Sequence, residues 1–187
     1  MQKTERYSID NTKTGKWVNL WYNDIVIDDE IINLIKIHKQ LSVPCNYLYP
    51  LDNLPIETES LYIEEDRQYE AFATFSENNF NKPLANLPPK LKKLWICSFQ
   101  FNQSLDYLPE SLKELIICSI DFDKELNNLP PGLKTLTIEW NKYNKPLYNL
   151  PQGLDELNIS QKYHPEYLEY IKNKYPKLKI GKIHKEW

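Results

Sequence analysis

The run FNKPLANLPPKLKKLWI, Phe80 to Ile96, places Pro83, Pro88 and Pro89 among five aliphatic side chains at a spacing that fits neither a plain helix nor a plain strand. It returns as FNQSLDYLPESLKELII (Phe101–Ile117), FDKELNNLPPGLKTLTI (Phe122–Ile138) and YNKPLYNLPQGLDELNI (Tyr143–Ile159), each copy one constant step after the last. Leu84, Leu87, Leu91, Leu94 and Ile96 each find an apolar counterpart in every copy. A fixed period of this length marks stacked coils, because one unit alone cannot bury its apolar face.

Each part of the unit has a physical role. Leu-x-Ile is the shortest alternation that buries one face of a strand. A ring then closes the turn at Phe101, Phe122 or Tyr143. Proline fixes φ and removes a backbone donor, so Pro-Leu-x-x-Leu-Pro returns along the outside as an extended segment instead of a regular helix. The expectation is an α/β fold: a right-handed solenoid whose parallel sheet has six to eight short strands and a Pro-rich irregular convex side.

The register extends beyond these copies. Leu51, Leu54-Pro55 and Leu61-x-Ile63 form an earlier coil, and an insertion over 64–79 (EEDRQYEAFATFSENN) separates it from Phe80. Before it, DDEIINLIKIHKQLSV reads as a helix leading into a strand, with Leu41 and Val43 ahead of Leu61 and Ile63 by nearly the same step. RYSID and KWVNLWY around the turn at Asn11–Gly15 read as a hairpin. After the repeats, HPEYLEYIKNKYP reads as a helix with Pro165 in its first turn and Pro176 at its end. Leu178-x-Ile180 follows Leu157-x-Ile159 by one full step of the repeat, which places Lys179 beside Asn158. The chain is thus expected to be one domain over 1–187. An N-terminal cap covers 1–45, repeats cover 46–163, and a helix-strand cap covers 164–187.

The pattern L-x-x-L-x-I with a following Phe or Tyr resembles the leucine-rich repeat. FNKPL at Phe80–Leu84 and YNKPL at Tyr143–Leu147 resemble its FNIP variant, which is common in social amoebae and in giant DNA viruses of amoebae. The resemblance covers about 48–162 and implies the solenoid without implying any catalytic motif. Many FNIP proteins resemble ubiquitin-ligase adaptors with an N-terminal F-box, but residues 1–45 lack its Leu-Pro-x-Glu-x-x-x-x-Ile core and fit a capping coil better.

Composition bounds function further. Lys plus Arg number 23 against 26 Asp plus Glu, a net charge of -3, so no basic field points to nucleic acid or to a membrane surface. The polar start MQKTERYSIDNTK has no apolar stretch of a secretory signal, and no run is long enough to span a bilayer. Three cysteines fit a reducing compartment and free thiols, hence a cytoplasmic location, or the host cytoplasm for a viral chain. Cys97 and Cys118 occupy equivalent places without the partners of a zinc site, and Cys45 is expected to be buried. His38, His164 and His184 fall on the caps, and with four glycines there is no phosphate-cradling loop. The reading is a non-enzymatic chain without cofactor or metal, a monomer or weak dimer.

If Leu-x-Ile points inward, the residues between and beside it line the concave face. The central column is then Ser42, Tyr62, Trp95, Ile116, Thr137, Asn158 and Lys179, with Lys93 and Glu114 on one flank and Cys97, Cys118 and Glu139 on the other. Tyr62, Trp95, Ile116, Thr137, Lys93, Glu114 and Glu139 are the candidate residues for binding a protein partner, with the two rings as anchors. The 64–79 insertion, carrying Tyr69, Phe72 and Phe75, is the alternative cover for the same patch. Two other roles stand beside protein recognition: a ligase adaptor through a divergent F-box, and a structural or virion component.

Overall fold

The computed structural model describes residues 6–12, 15–64, 79–139 and 143–183. Its core is a single nine-stranded sheet whose spatial order follows the chain order. The first two strands, β1 (Tyr7–Thr12) and β2 (Gly15–Leu20), form an antiparallel hairpin. Every later pairing is parallel, through β3 (Gln40–Pro44), β4 (Ser60–Glu64), β5 (Lys93–Cys97), β6 (Glu114–Cys118), β7 (Thr135–Glu139), β8 (Glu156–Ser160) and β9 (Lys179–Ile183). Parallel neighbours joined in chain order require a crossover at every step, which is what a solenoid is. The sheet exceeds the expected six to eight strands because the hairpin and the terminal strand join it.

The repeat register is the one the leucine spacing predicts. Leu94, Leu115, Leu136 and Leu157 stand opposite one another across the strands, as do Ile96, Ile117, Ile138 and Ile159. All eight are buried, and Leu84, Leu105, Leu126 and Leu147 of the returns pack against them. Each such burial contributes about 2 kcal/mol, so the row forms one continuous apolar spine.

Among the described residues the proline-rich returns contain no helix, and their prolines work as acceptors. Leu91, Leu112, Leu133 and Leu154 each donate their N–H to the carbonyl of Pro88, Pro109, Pro130 and Pro151 at 3.0 Å, closing the same tight turn in every coil. The asparagine of the Phe-Asn pair has an equally local purpose. Asn81 Oδ1 accepts from Asn102 N at 2.9 Å, and Asn102 Oδ1 accepts from Asp123 N at 3.1 Å. One coil's side chain therefore satisfies the next coil's backbone.

The rings form a stack through the solenoid. Phe80, Phe101, Phe122, Tyr143 and Tyr163 lie with successive centroids 6.4, 6.2, 5.9 and 6.4 Å apart and near-parallel planes. Beneath them Ser98 and Ser119, both buried, donate to the carbonyls of Phe80 and Phe101 at 2.9 Å. Ser119 Oγ also lies 2.9 Å from Phe99 O, so its single proton serves two carbonyls. Ser119→Ala leaves both acceptors without it. The expected loss is about 1–2 kcal/mol, seen as a melting temperature lower by roughly 2–8 °C. An unchanged melt would mean that these hydroxyls are idle.

Two helices replace the proline-rich return at the ends. Helix α1 (Asp29–His38) starts at Asp28, whose carboxylate accepts from Ile31 N at 3.1 Å, and it stops at Lys39 with φ of 61°. Arg6 reaches across to Asp28 at 2.7 Å and holds its carboxyl below the usual range, with the Ile31 amide adding to the effect. Helix α2 (Pro165–Lys174) has proline in its first turn, and Tyr175 after it donates to Leu150 O at 2.9 Å.

At the C-terminus the expected register is wrong by two positions. Leu157 pairs with Ile180 and Asn158 with Gly181, so Lys179 stands beside Glu156 on the flank and not beside Asn158. A helix and its exit turn, with Leu178 N bonded to Tyr175 O at 3.0 Å, consume more chain than the proline-rich return. A slip by two keeps every side chain on its face, so the apolar pattern alone cannot detect it. The Asn158 side chain fills the space that Gly181 leaves, its Oδ1 lying 2.0 Å from where a Cβ would stand.

Candidate functional site

The sheet face opposite the core brings the predicted column together. Cα register places Tyr62 beside Trp95, Trp95 beside Ile116, and Ile116 beside Thr137. Tyr62, Trp95 and Ile116 are half-buried, whereas Thr137 is buried and receives Asn158 Nδ2 at 3.3 Å. Thr137 thus offers little surface of its own. Lys93 and Glu114 are half-buried on one flank and pair at 3.1 Å; an exposed pair of this kind fixes orientation more than it stabilises.

Sequence reasoning missed Trp17. Strand β2 pairs with β3 through Val18 and Leu41, which turns Val18 inward and Trp17 onto the opposite face. There the Trp17 ring lies 4.2 Å from that of Tyr62, and Tyr62 lies 5.0 Å from Trp95 at 64°. Three rings from β2, β4 and β5 therefore make one aromatic strip. The alternation Lys16-Trp17-Val18-Asn19-Leu20 carried the signal, since Val18 and Leu20 claim the core side. The 64–79 insertion lies outside the described residues except for its end members Glu64 and Asn79.

Beside the strip, Cys97 and Cys118 face each other across β5 and β6, both buried and both free thiols, as expected. Trp95 Nε1 donates to Cys97 Sγ at 3.0 Å, and Cys118 Sγ donates to Glu139 Oε2 at 3.8 Å. Its hydrogen bond with Cys97, together with burial, pushes the Cys118 thiol far above its ordinary range. Cys45 is half-buried and not buried as expected, because it follows the end of β3 at Pro44; its thiol lies 4.0 Å from Asn79 Oδ1.

A row of charge runs along the starts of the strands. Glu59 binds Lys92 at 2.7 Å and Lys39 at 3.2 Å, and these ammonium groups hold its carboxyl below the usual range. With Trp17, Gln40, Ser60 and Lys93 they line a pocket of about 230 Å³. His38 touches the same pocket, His164 sits at the start of α2, and His184 lies outside the described residues. Among the described residues no three His, Cys, Asp or Glu side chains come close enough to hold a metal ion. Among them, too, no helix is long and apolar enough to cross a membrane.

Residues 101–139 match the family model described as FNIP Repeat. This stretch carries an FNIP repeat. The matched stretch holds β6 and β7, with Phe101, Phe122 and Ser119 among its residues. Among solved structures the chain is similar to CroV588, described as a circular LRR protein, at 17% identity and a TM-score of 0.47. That match covers 86% of this chain and 29% of CroV588, so this chain spans under a third of that structure. A comparison with curated proteins finds no match. FNIP and leucine-rich-repeat folds generally serve as protein-interaction modules and non-enzymatic scaffolds.

Proposed function

We propose that this chain recognises a protein partner through the concave sheet face, with Tyr62 and Trp95 as anchors and Ile116 extending the apolar contact. The observation that carries this reading is the register-matched column Tyr62–Trp95–Ile116, half-buried and flanked by the Lys93–Glu114 pair. Its backbone is fixed by ladders on both sides, so little ordering entropy is lost on association. Aromatic residues bring large contact area with few rotatable bonds, and central rings of this kind dominate binding energies. Trp17 is buried, so it backs the Tyr62 ring from within instead of adding contact surface, and Glu139 and Thr137 lie further along the same face.

Trp95→Ala is the direct test. It is expected to retain a cooperative melt within a few degrees of the parent while recovering at least about tenfold less of the parent's partner in quantitative affinity purification from the native cell. Tyr107→Ala, at a residue 76% exposed on the proline-rich return, serves as the control and should recover as much as the parent. Equal recovery by the Trp95 variant would move the binding surface elsewhere. The ligase-adaptor alternative draws no support from the N-terminal segment, where Gly15–Pro44 supply β2, α1 and β3 of the solenoid.

A further inference from the structure

We propose that Cys97 and Cys118 form an oxidisable cross-strand dithiol whose substrate is a peroxide and whose product is a disulfide set into the recognition face. The two residues are Cα partners on adjacent parallel strands, with both side chains on the face opposite the core. Parallel neighbours stand about 4.8 Å apart, inside the roughly 4.4–6.8 Å range that a disulfide spans. The two thiols have unequal surroundings that divide the labour between them. Cys97 keeps 8% of its surface, which makes it the more open of the two to a small oxidant, and it accepts a hydrogen bond from the Trp95 indole. Cys118 keeps 1% and donates to the Glu139 carboxylate at 3.8 Å.

The chemistry closes without a further reactant. The Cys97 sulfur attacks one peroxide oxygen, the O–O bond breaks, and Cys97 becomes a sulfenic acid while the leaving hydroxide takes up the thiol's proton as water. Cys118 then attacks the Cys97 sulfur. An S–S bond forms, the S–O bond breaks, and the departing hydroxide takes the Cys118 proton as a second water. Two thiols and one hydrogen peroxide give one disulfide and two waters. Oxidation changes the sulfur that the Trp95 indole bonds, which links thiol state to the surroundings of that ring on the proposed partner surface. Only this last consequence rests on the proposed function.

Peptide mapping of the folded protein after hydrogen peroxide treatment tests the chemistry, and a Cys45→Ser background removes the third thiol. The expected result is a 97–118 cross-linked peptide two hydrogens lighter than its parts, with a tryptophan fluorescence shift that dithiothreitol reverses. Cys118→Ser is expected to abolish the cross-link and the reversible shift, leaving over-oxidised Cys97. The proposal is overturned if the folded Cys45→Ser protein keeps both thiols reduced or oxidises one without cross-linking. A dithiothreitol-reversible fluorescence shift in Cys118→Ser also overturns it. Should the serine variant fail to fold, the map of the Cys45→Ser protein decides alone. Partner recovery by oxidised and reduced protein then separates this chemistry from the recognition reading: a cross-link without any change in recovery leaves the dithiol standing and removes its link to binding.

Discussion

Leu115→Asp is expected to leave a chain with no cooperative thermal transition. Leu115 is fully buried in β6 and stands between Leu94 and Leu136 in the row that every coil shares. The substitution removes about 2–3 kcal/mol of apolar burial. It also places a carboxyl where no polar partner exists, and holding that group neutral at pH 7 costs several kcal/mol more. The sum rivals the roughly 5–15 kcal/mol that holds a domain of this size together. In a solenoid each coil is stabilised mainly by its neighbours, so a break in the middle separates the coils on either side. Far-UV circular dichroism during heating reads the outcome. Glu114→Ala, one position away on the opposite face, breaks only a surface ion pair and should cost about 1 kcal/mol or less. A Leu115→Asp melt like the parent's would refute the inward assignment of the whole row.

The parts of this fold that are legible in the sequence are those repeated at a constant step. Leu-x-Ile, the ring after it and the Leu-Pro pair recur at that step from Phe80 onward, so four copies vote on each position and the register of β5 to β8 follows. The C-terminal strand has one copy and a helical return of different length, which is why spacing alone puts Lys179 in the wrong column. Trp17 escapes for a related reason. It belongs to a hairpin outside the period, and its place on the sheet face opposite the core depends on how β2 docks on β3. Ser98 and Ser119 occupy equivalent sites in two coils only, with Trp140 and Gln161 at the corresponding places, so the buried hydroxyls do not stand out as a repeat. The candidate site is thus legible where it coincides with the sheet column, and hidden where it depends on a cap.

Phe101→Ala is expected to produce the largest loss among substitutions that leave a folded protein. Phe101 has no exposed surface and is sandwiched between Phe80 at 6.4 Å and Phe122 at 6.2 Å. Truncation to alanine removes apolar burial and opens a cavity, at about 3–5 kcal/mol. Each lost ring pair adds about 0.5–1.5 kcal/mol. The neighbouring rings cannot close the gap, because each is fixed in its own coil by the turn at Pro88 or Pro130 and by the ladder of its strand. The carbonyl of Phe101 would still accept from Ser119, so the loss reports the ring and not the backbone bond. Phe101→Leu restores most of the volume without the stack and should recover more than half of the loss in urea denaturation. If instead Leu and Ala cost the same, the column contributes through ring geometry alone. If neither costs more than about 1 kcal/mol, the coils are held by the leucine row without help from the rings.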